Sequence, residues 1–222
     1  MTFAASPRVV VDPIEIEEDI SGRFGVSSAE LKGVAEGILS AFSKVTSLHP
    51  KGFNGTSGWA EGSAAIRSVL IPKGWHPEDP QNQPRIVSKK LSVAITVSSG
   101  SSFTGVETKT PQTRNDKGSQ TSSSVRFNAK QTELFPAHGQ VIPLRPQQGG
   151  QSLWIFLYYI DRDNKELRYE LSQPTAMSED DKISEWAVRY VFPPLKFDAV
   201  WDSQDDDQDD MPDIDIEVTP RK

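Results

Sequence analysis

The chain has 222 residues, no cysteine and a hydrophobic content of 36%, a length that allows one large domain or two small ones. The lack of cysteine excludes disulfides, thiolate zinc sites and a cysteine nucleophile. The first six residues lack the basic start of a signal peptide, and the longest apolar run, at 153–160, is too short to span a membrane. We therefore expect an intracellular, cytoplasmic protein without a membrane segment.

The net charge of −7 comes from the C-terminal end of the chain. Nine of the 31 acidic residues lie between Asp202 and Glu217, with no lysine or arginine among them. Such a charge run predicts a disordered acidic tail at 202–222, following a single domain at 1–201.

The first half of the chain predicts a strand, two helices and a further strand. Residues 9–16 favour a short N-terminal strand that is interrupted by Pro13. Apolar residues recur at helical spacing over about 28–47, and Ser27 or Ser28 can cap this helix, the clearest in the chain. The elements expected next are a glycine-rich connection at 51–58, a short helix at 60–70 and a strand at 86–97.

Residues 98–124 hold almost nothing to bury, which predicts a long mobile loop. Strands are expected after it at 125–128 and 140–146. A helix is predicted at about 179–191, with Ser178 as its cap, because Ile183, Trp186, Ala187 and Tyr190 recur at helical spacing.

The strongest signal is a β-hairpin at 153–171. Residues 153–160 are almost all apolar, 161–165 form a polar turn, and 166–171 alternate between apolar and charged side chains. We therefore predict an α+β fold with a mostly antiparallel sheet centred on this hairpin. Helices near 28–47 and 179–191 are expected to pack on that sheet.

The sharpest local motif is Gln-Thr-Glu-Leu-Phe at 131–135. It resembles the short peptide with which bacterial proteins dock on the DNA polymerase sliding clamp, whose usual form is Gln, an aliphatic residue, Ser or Asp, Leu and Phe. Gln131, Leu134 and Phe135 match that form, and Thr132 replaces the aliphatic residue. The resemblance implies that Leu134 and Phe135 fill an apolar pocket on the clamp and that the Gln131 amide bonds at its rim. The alternative is that Leu134 and Phe135 anchor the chain in its own core.

Basic side chains are concentrated in the middle of the chain. Residues 85–130 hold eight basic residues and two acidic ones, which suits contact with nucleic-acid phosphates. Only Phe103 and Phe127 would stack on bases there, so a solvated loop is the alternative. The candidate phosphate-binding residues are Lys89, Lys90, Lys109, Arg114, Lys117, Arg126 and Lys130.

The sequence predicts no catalytic residue, metal or cofactor. Asp161, Asp163 and Glu166 have the chemistry of a cation site, but a polar hairpin turn has the same composition. Glu107 and Lys109 have the Glu-x-Lys spacing of restriction-type nucleases, without the Asp that shares their metal. There is no nucleophile elbow, phosphate loop or dinucleotide fingerprint. The three histidines are far apart, each beside Pro or Gly: His49, His76 and His138.

These observations favour a non-enzymatic adaptor or regulator that acts on a protein or nucleoprotein partner through its basic loop and acidic tail. The clamp-like peptide would link it to DNA metabolism. Two other classes stay open. One is a nucleic-acid-binding accessory protein that uses 85–130, and the other is a metal-dependent nuclease or hydrolase whose acids converge only in the fold.

Overall fold

The structure, a computed structural model, describes residues 7–134 and 150–198. The strand predicted at 140–146 and the predicted acidic tail lie outside these ranges. The strands within them are β1 (Arg8–Val10), β2 (His76–Glu78), β3 (Arg85–Ser88), β4 (Val93–Ser99), β5 (Ser152–Asp161), β6 (Glu166–Met177), β7 (Ile183–Val191) and β8 (Leu195–Lys196).

Four α-helices lie in the same ranges: α1 (Pro13–Phe24), α2 (Ser28–Ser43), α3 (Phe53–Leu70) and α4 (Ser119–Leu134). The predicted helix near 28–47 is confirmed as α2. It begins with a reciprocal cap, in which the Glu30 backbone N–H donates to Ser27 Oγ and the Ser27 backbone N–H donates to Glu30 Oε2. In the described part of the chain, no helix combines the length and apolarity that crossing a membrane requires.

The strands form one mixed sheet in the order β1-β7-β6-β5-β4-β3-β2, and β8 pairs with the start of β6. Among the strands that the structure describes, only β1 with β7 and β4 with β5 are parallel; the other neighbours are antiparallel. The predicted α+β class and the central β5–β6 hairpin are therefore confirmed. The parallel step from β4 to β5 requires a crossover connection, and α4 lies within it.

Helices cover both faces of the sheet. On one face, α1, α2 and α3 bury a large apolar core around Trp154, whose ring meets Phe24 edge-on at 5.0 Å and stacks on Tyr190 at 5.7 Å between ring centroids. The opposite face carries a smaller apolar cluster that includes Val125 of α4 and Trp186 of β7. Successive residues of β5 join the two cores in alternation, so this strand is buried on both sides.

The N-terminal segment differs from its prediction. The strand ends at Val10, and Pro13 begins a helix instead of interrupting a strand. The Asp12 carboxylate caps this helix, because its Oδ1 accepts from the backbone N–H groups of Ile14 and Glu15 at 3.0 Å each. Proline suits the first helical position, where its missing N–H costs nothing.

Helix α3 begins seven residues before its predicted start and includes most of the supposed glycine-rich connection. Packing against α2 explains this result, because two of its glycines lie at the closest approach of the helices. A Cβ on Gly62 would lie 2.8 Å from the Ile38 side chain, and one on Gly58 would lie 3.4 Å from it. Close helix contact therefore outweighs the low helix propensity of glycine.

Two further predictions were wrong. The strand predicted at 86–97 is a hairpin of β3 and β4, whose turn contains Ser92 with a φ of 53°. The predicted strand at 125–128 lies inside α4, where the buried Asn128 side chain bonds to backbone groups of Leu153 and Pro174. A polar residue satisfied in the core therefore ties this helix to the sheet.

The predicted helix at 179–191 is also wrong, because this segment forms β7. Ile183 and Trp186 share a face of the sheet although they are three residues apart. The β6–β7 ladder is irregular at this point, with Ile183 opposite Met177, Glu185 opposite Ala176 and Trp186 opposite Pro174. Because of this irregularity, residues on one face of β7 lie three positions apart instead of two. Three is also a helical spacing, which explains the wrong prediction.

The close approach of α2 and α3 yields a prediction about glycine. Gly62→Ala should lower the free energy of unfolding by about 1–3 kcal/mol, because the new methyl group would overlap the Ile38 side chain. The matched control is Gly33→Ala in α2, where nothing lies within 4 Å of the new Cβ. It should raise stability by about 1 kcal/mol. Urea unfolding of both variants checks the difference, and an equal effect of the two substitutions would contradict it.

Candidate interaction surface at residues 100–118

The connection between β4 and α4 is shorter than the predicted mobile loop and makes specific hydrogen bonds. The Gly100 backbone N–H donates to Tyr158 O at 2.8 Å, and Gly100 forms an isolated antiparallel β-bridge with Thr113. The Thr113 backbone N–H donates to Ile183 O at 3.0 Å, and Thr113 Oγ1 accepts from Ile183 N. The connection is therefore fixed to β5 on one side and to β7 on the other. We call residues 100–118 the anchored loop.

A buried ion pair lies beneath the anchored loop. Glu170 of β6 and Arg189 of β7 are 0% and 1% exposed, and Arg189 Nη2 lies 2.6 Å from Glu170 Oε2. Arg189 Nε donates to Glu170 Oε1 at 3.0 Å, which makes the pair bidentate. The Ser172 hydroxyl donates to the same carboxylate at 2.8 Å. Bidentate geometry with additional hydrogen bonds is what a buried ion pair needs to offset its desolvation.

The same two side chains also hold the loop backbone. Arg189 donates to Lys109 O at 2.7 Å and to Val106 O at 3.2 Å, while Glu170 Oε2 accepts from the Gly105 N–H at 2.9 Å. Burial of this pair therefore requires the loop to be in place. Conversely, the loop conformation is fixed by a group that tolerates little displacement.

Glycine is required where the anchored loop approaches the sheet. Gly105 has a φ of +70°, and a Cβ there would lie 2.7 Å from Arg168 Cβ. Gly100 would place a Cβ 2.2 Å from Thr104 Oγ1. These positions allow the backbone to lie directly against β5 and β6.

The outer side of the anchored loop is exposed. Phe103 is 46% exposed, and Lys109 Nζ lies 5.6 Å from its ring centroid, within the range of a cation–π interaction. The other exposed residues of this side include Glu107, Thr108, Thr110 and Gln112. An aromatic ring is thus displayed among polar side chains on a fixed backbone.

The predicted phosphate-binding residues are distributed over three places. Lys89 and Lys90 lie exposed in the β3–β4 turn, at the start of β4. Lys109, Arg114 and Lys117 belong to the anchored loop. The Arg114 backbone N–H donates to Ser99 O at the other end of β4, and the Lys117 backbone N–H donates to Asp181 O. Arg126 and Lys130 are exposed on α4.

The clamp-like peptide occupies the end of α4. Gln131 and Leu134 lie in its last turn, while Phe135 falls outside the described residues. The residues before this peptide are helical and tied to the sheet through Asn128. The peptide therefore follows a fixed helix rather than the mobile stretch expected from the sequence.

The acidic residues of the β5–β6 turn serve the hairpin. Asp161 accepts from the Asn164 backbone at 3.0 Å, from Asn164 Nδ2 at 2.9 Å and from Arg168 at 2.9 Å. Burial opposes the charged form, but the Asn164 hydrogen bonds and the positive charge of Arg168 act against it, and the pKa of Asp161 lies below its usual value. Glu166 pairs with Arg168 and Lys196. This is the chemistry of a stabilised turn.

No group of His, Cys, Asp and Glu suited to holding a metal occurs in the described ranges. His49 accepts from the Thr46 backbone and stacks on Phe53, whereas His76 lies in β2. His138 lies outside those ranges. Glu107 is exposed on the anchored loop and is not part of a strand, unlike the Glu of a restriction-type site. Residues 7–134 and 150–198 thus bring together no acids of the kind that the metal-dependent hydrolase would need.

A feature that the sequence did not indicate is an open cleft between α2 and α3. It has a volume of about 320 Å³ and is lined by side chains of both helices and by the His49–Phe53 stack. Its charged lining residues, Lys44 and Glu61, are exposed. No sequence motif predicts this cleft, because its lining residues come from two helices and from the segment that joins them.

No protein-family description, curated protein or solved structure matches this chain. The functional argument therefore depends on the geometry of its own residues.

The ion pair beneath the anchored loop generates a stability prediction. Arg189→Met should cost about 3–5 kcal/mol of unfolding free energy, because it leaves the Glu170 charge buried without a partner. Amide hydrogen exchange should increase at residues 104–110, which lose their anchor. Lys196→Met is the control: it removes a cation that also pairs with a sheet carboxylate but is 69% exposed, and it should cost no more than about 1 kcal/mol. Unchanged exchange at 104–110 in Arg189→Met would show that the pair does not hold the loop.

Proposed function

We propose that the protein is a non-enzymatic adaptor or regulator that recognises a protein partner with the exposed side of the anchored loop. The observation that carries this proposal is the attachment of a polar loop to a fully buried ion pair through three backbone groups. A buried ion pair adds little net stability compared with apolar residues. Stability alone therefore does not explain why the pair holds a surface loop. We infer that the fixed loop conformation itself serves recognition.

A fixed loop suits recognition because binding then costs little conformational entropy. Phe103 supplies an aromatic anchor of the kind that dominates protein interfaces, and the surrounding hydroxyl and amide groups suit an interface rim. The expected partner has an apolar pocket for Phe103 and a carboxylate near Lys109.

The charge of the loop favours a protein over a nucleic acid. Its exposed side carries both Glu107 and Lys109, so it lacks the single-sign field that attracts a phosphate backbone. The seven candidate phosphate-binding residues are divided among a turn, the loop and a helix, which does not favour one continuous phosphate track. The acidic tail at 202–222 is a second proposed contact and is supported by its charge alone.

Affinity capture from the source organism tests the proposal with three baits: the unaltered chain, a Phe103→Ala/Lys109→Ala variant, and Leu48→Ala. Leu48 is 93% exposed on a different part of the surface, so it controls for loss of any exposed apolar side chain. The partner should be captured by the first and third baits only. With the purified partner, the double variant should raise Kd by about tenfold or more, while its melting temperature stays unchanged. Equal binding by all three chains would refute the proposal.

A second candidate is docking on a bacterial sliding clamp through Gln131, Leu134 and Phe135. It is supported by the match of these residue types to the clamp-binding peptide. Gln131 and Leu134 lie in the last turn of α4. It is compatible with an adaptor, which can contact two partners.

Leu134→Ala together with Phe135→Ala tests clamp docking. If the peptide docks, the variant should no longer co-elute with a purified bacterial sliding clamp, and its melting temperature should change little. Thr132→Ala serves as the control, because this position already departs from the motif and should keep co-elution. A large loss of stability in the double variant would instead assign both residues to the core.

A further inference from the structure

The segment between α2 and α3 exposes apolar side chains at the end of this helix pair. Leu48 is 93% exposed, and Phe53 is 39% exposed. Among the residues that the structure describes, no other large apolar side chain is as exposed as Leu48. Exposed apolar groups that form a patch mark contact with a protein or a membrane. We call residues 44–53 the hairpin tip.

The exposure of Leu48 is built into a closed turn. The His49 backbone N–H donates to Thr46 O at 3.0 Å, and the Thr46 backbone N–H donates to His49 Nδ1 at 3.0 Å. Leu48 is a central residue of this turn. The His49 ring also stacks on Phe53, with a centroid distance of 5.4 Å and an interplanar angle of 5°, which joins the turn to the start of α3. The tip therefore holds Leu48 away from the core by its own hydrogen bonds.

The hairpin tip carries a positive charge. The 24 residues between Glu36 and Glu61 contain two exposed lysines, Lys44 and Lys51, and no acidic residue. The whole chain has a net charge of −7, but its acidic and basic residues are equal in number outside 202–222. Lysines that flank exposed apolar side chains, with no acid between them, complement an anionic surface.

We propose that the hairpin tip binds an anionic lipid surface. Leu48 and Phe53 enter the boundary between headgroups and acyl chains, and the two lysines attract the anionic headgroups. A lipid surface accepts a protruding side chain without a preformed pocket, whereas a protein partner needs a pocket shaped for Leu48. Binding of this kind takes place at the membrane surface and requires no membrane-spanning helix. It uses no residue of the anchored loop and is independent of the function proposed for that loop.

Sedimentation of the full chain with lipid vesicles tests the proposal. The chain should sediment with vesicles of phosphatidylserine and phosphatidylcholine in equal parts, and much less with vesicles of phosphatidylcholine alone. Added sodium chloride should weaken the binding, because salt screens the attraction of the lysines. Replacing Lys44 and Lys51 with glutamine should lower the partition coefficient about fivefold for each lysine removed.

Leu48→Ser tests the apolar contribution. The partition coefficient should fall at least about tenfold, because a polar side chain replaces the one that enters the lipid. The melting temperature should stay unchanged, since Leu48 is almost fully exposed in the folded chain. Phe103→Ala is the matched control: it removes an exposed aromatic ring from the anchored loop and should keep full vesicle binding.

Failure of the unaltered chain to sediment with the anionic vesicles would overturn the proposal, and so would equal binding by Leu48→Ser. Loss of a captured protein by the Leu48→Ala bait, without any vesicle binding, would assign the tip to protein recognition instead. The lipid and anchored-loop proposals fail separately, because Leu48→Ser alters only the tip and Phe103→Ala alters only the loop.

Discussion

The pairing of Glu170 with Arg189 is the interaction on which the polar side of this molecule depends. The two residues occupy adjacent strands in the middle of the sheet, where an unpaired charge would be strongly destabilising. The ion pair leaves some Arg189 N–H groups and Glu170 oxygen lone pairs without a partner. These groups form hydrogen bonds with the loop backbone at residues 105, 106 and 109. The sheet and the loop are therefore mutually dependent. The strands bury a charged pair only because the loop covers it, and the loop has one conformation because the pair requires it.

The two faces of the sheet are packed in different ways. On the α1–α3 side, a broad apolar core around Trp154 provides burial without any special polar geometry. On the α4 side, the apolar cluster is small and buried polar residues are numerous, including Asn128, Thr113 and Thr104 as well as the ion pair. Hydrogen bonds are directional, so they specify one arrangement more strictly than apolar contact does. The side that needs a defined surface shape is thus the side built from polar contacts.

Local chemistry made part of this fold predictable. A capping serine at 27 or 28 and the apolar face of α2 predict its start correctly, and the run at 153–160 predicts a strand buried on both faces. The failures arise where distant residues decide. The anchored loop has no apolar pattern, because its anchors are backbone groups that bond to Glu170 and Arg189, more than 60 positions away. Gly58 belongs to a predicted glycine-rich connection, but in the structure it lies within α3 against Ile38. The irregular β6–β7 ladder gives β7 the spacing of a helix.

The candidate sites follow the same division. Gln131 and Leu134 were found by their residue types, whereas the exposed side of the anchored loop becomes recognisable only when its inner side is known to be fixed. Arg85 is a third case, because in the sequence it is one basic residue among eight between 85 and 130. In the structure it is nearly buried, its guanidinium donates to Gln83, and Glu78 lies opposite it in the neighbouring strand. Its surroundings therefore depend on the pairing of β2 with β3, which residue types alone do not specify.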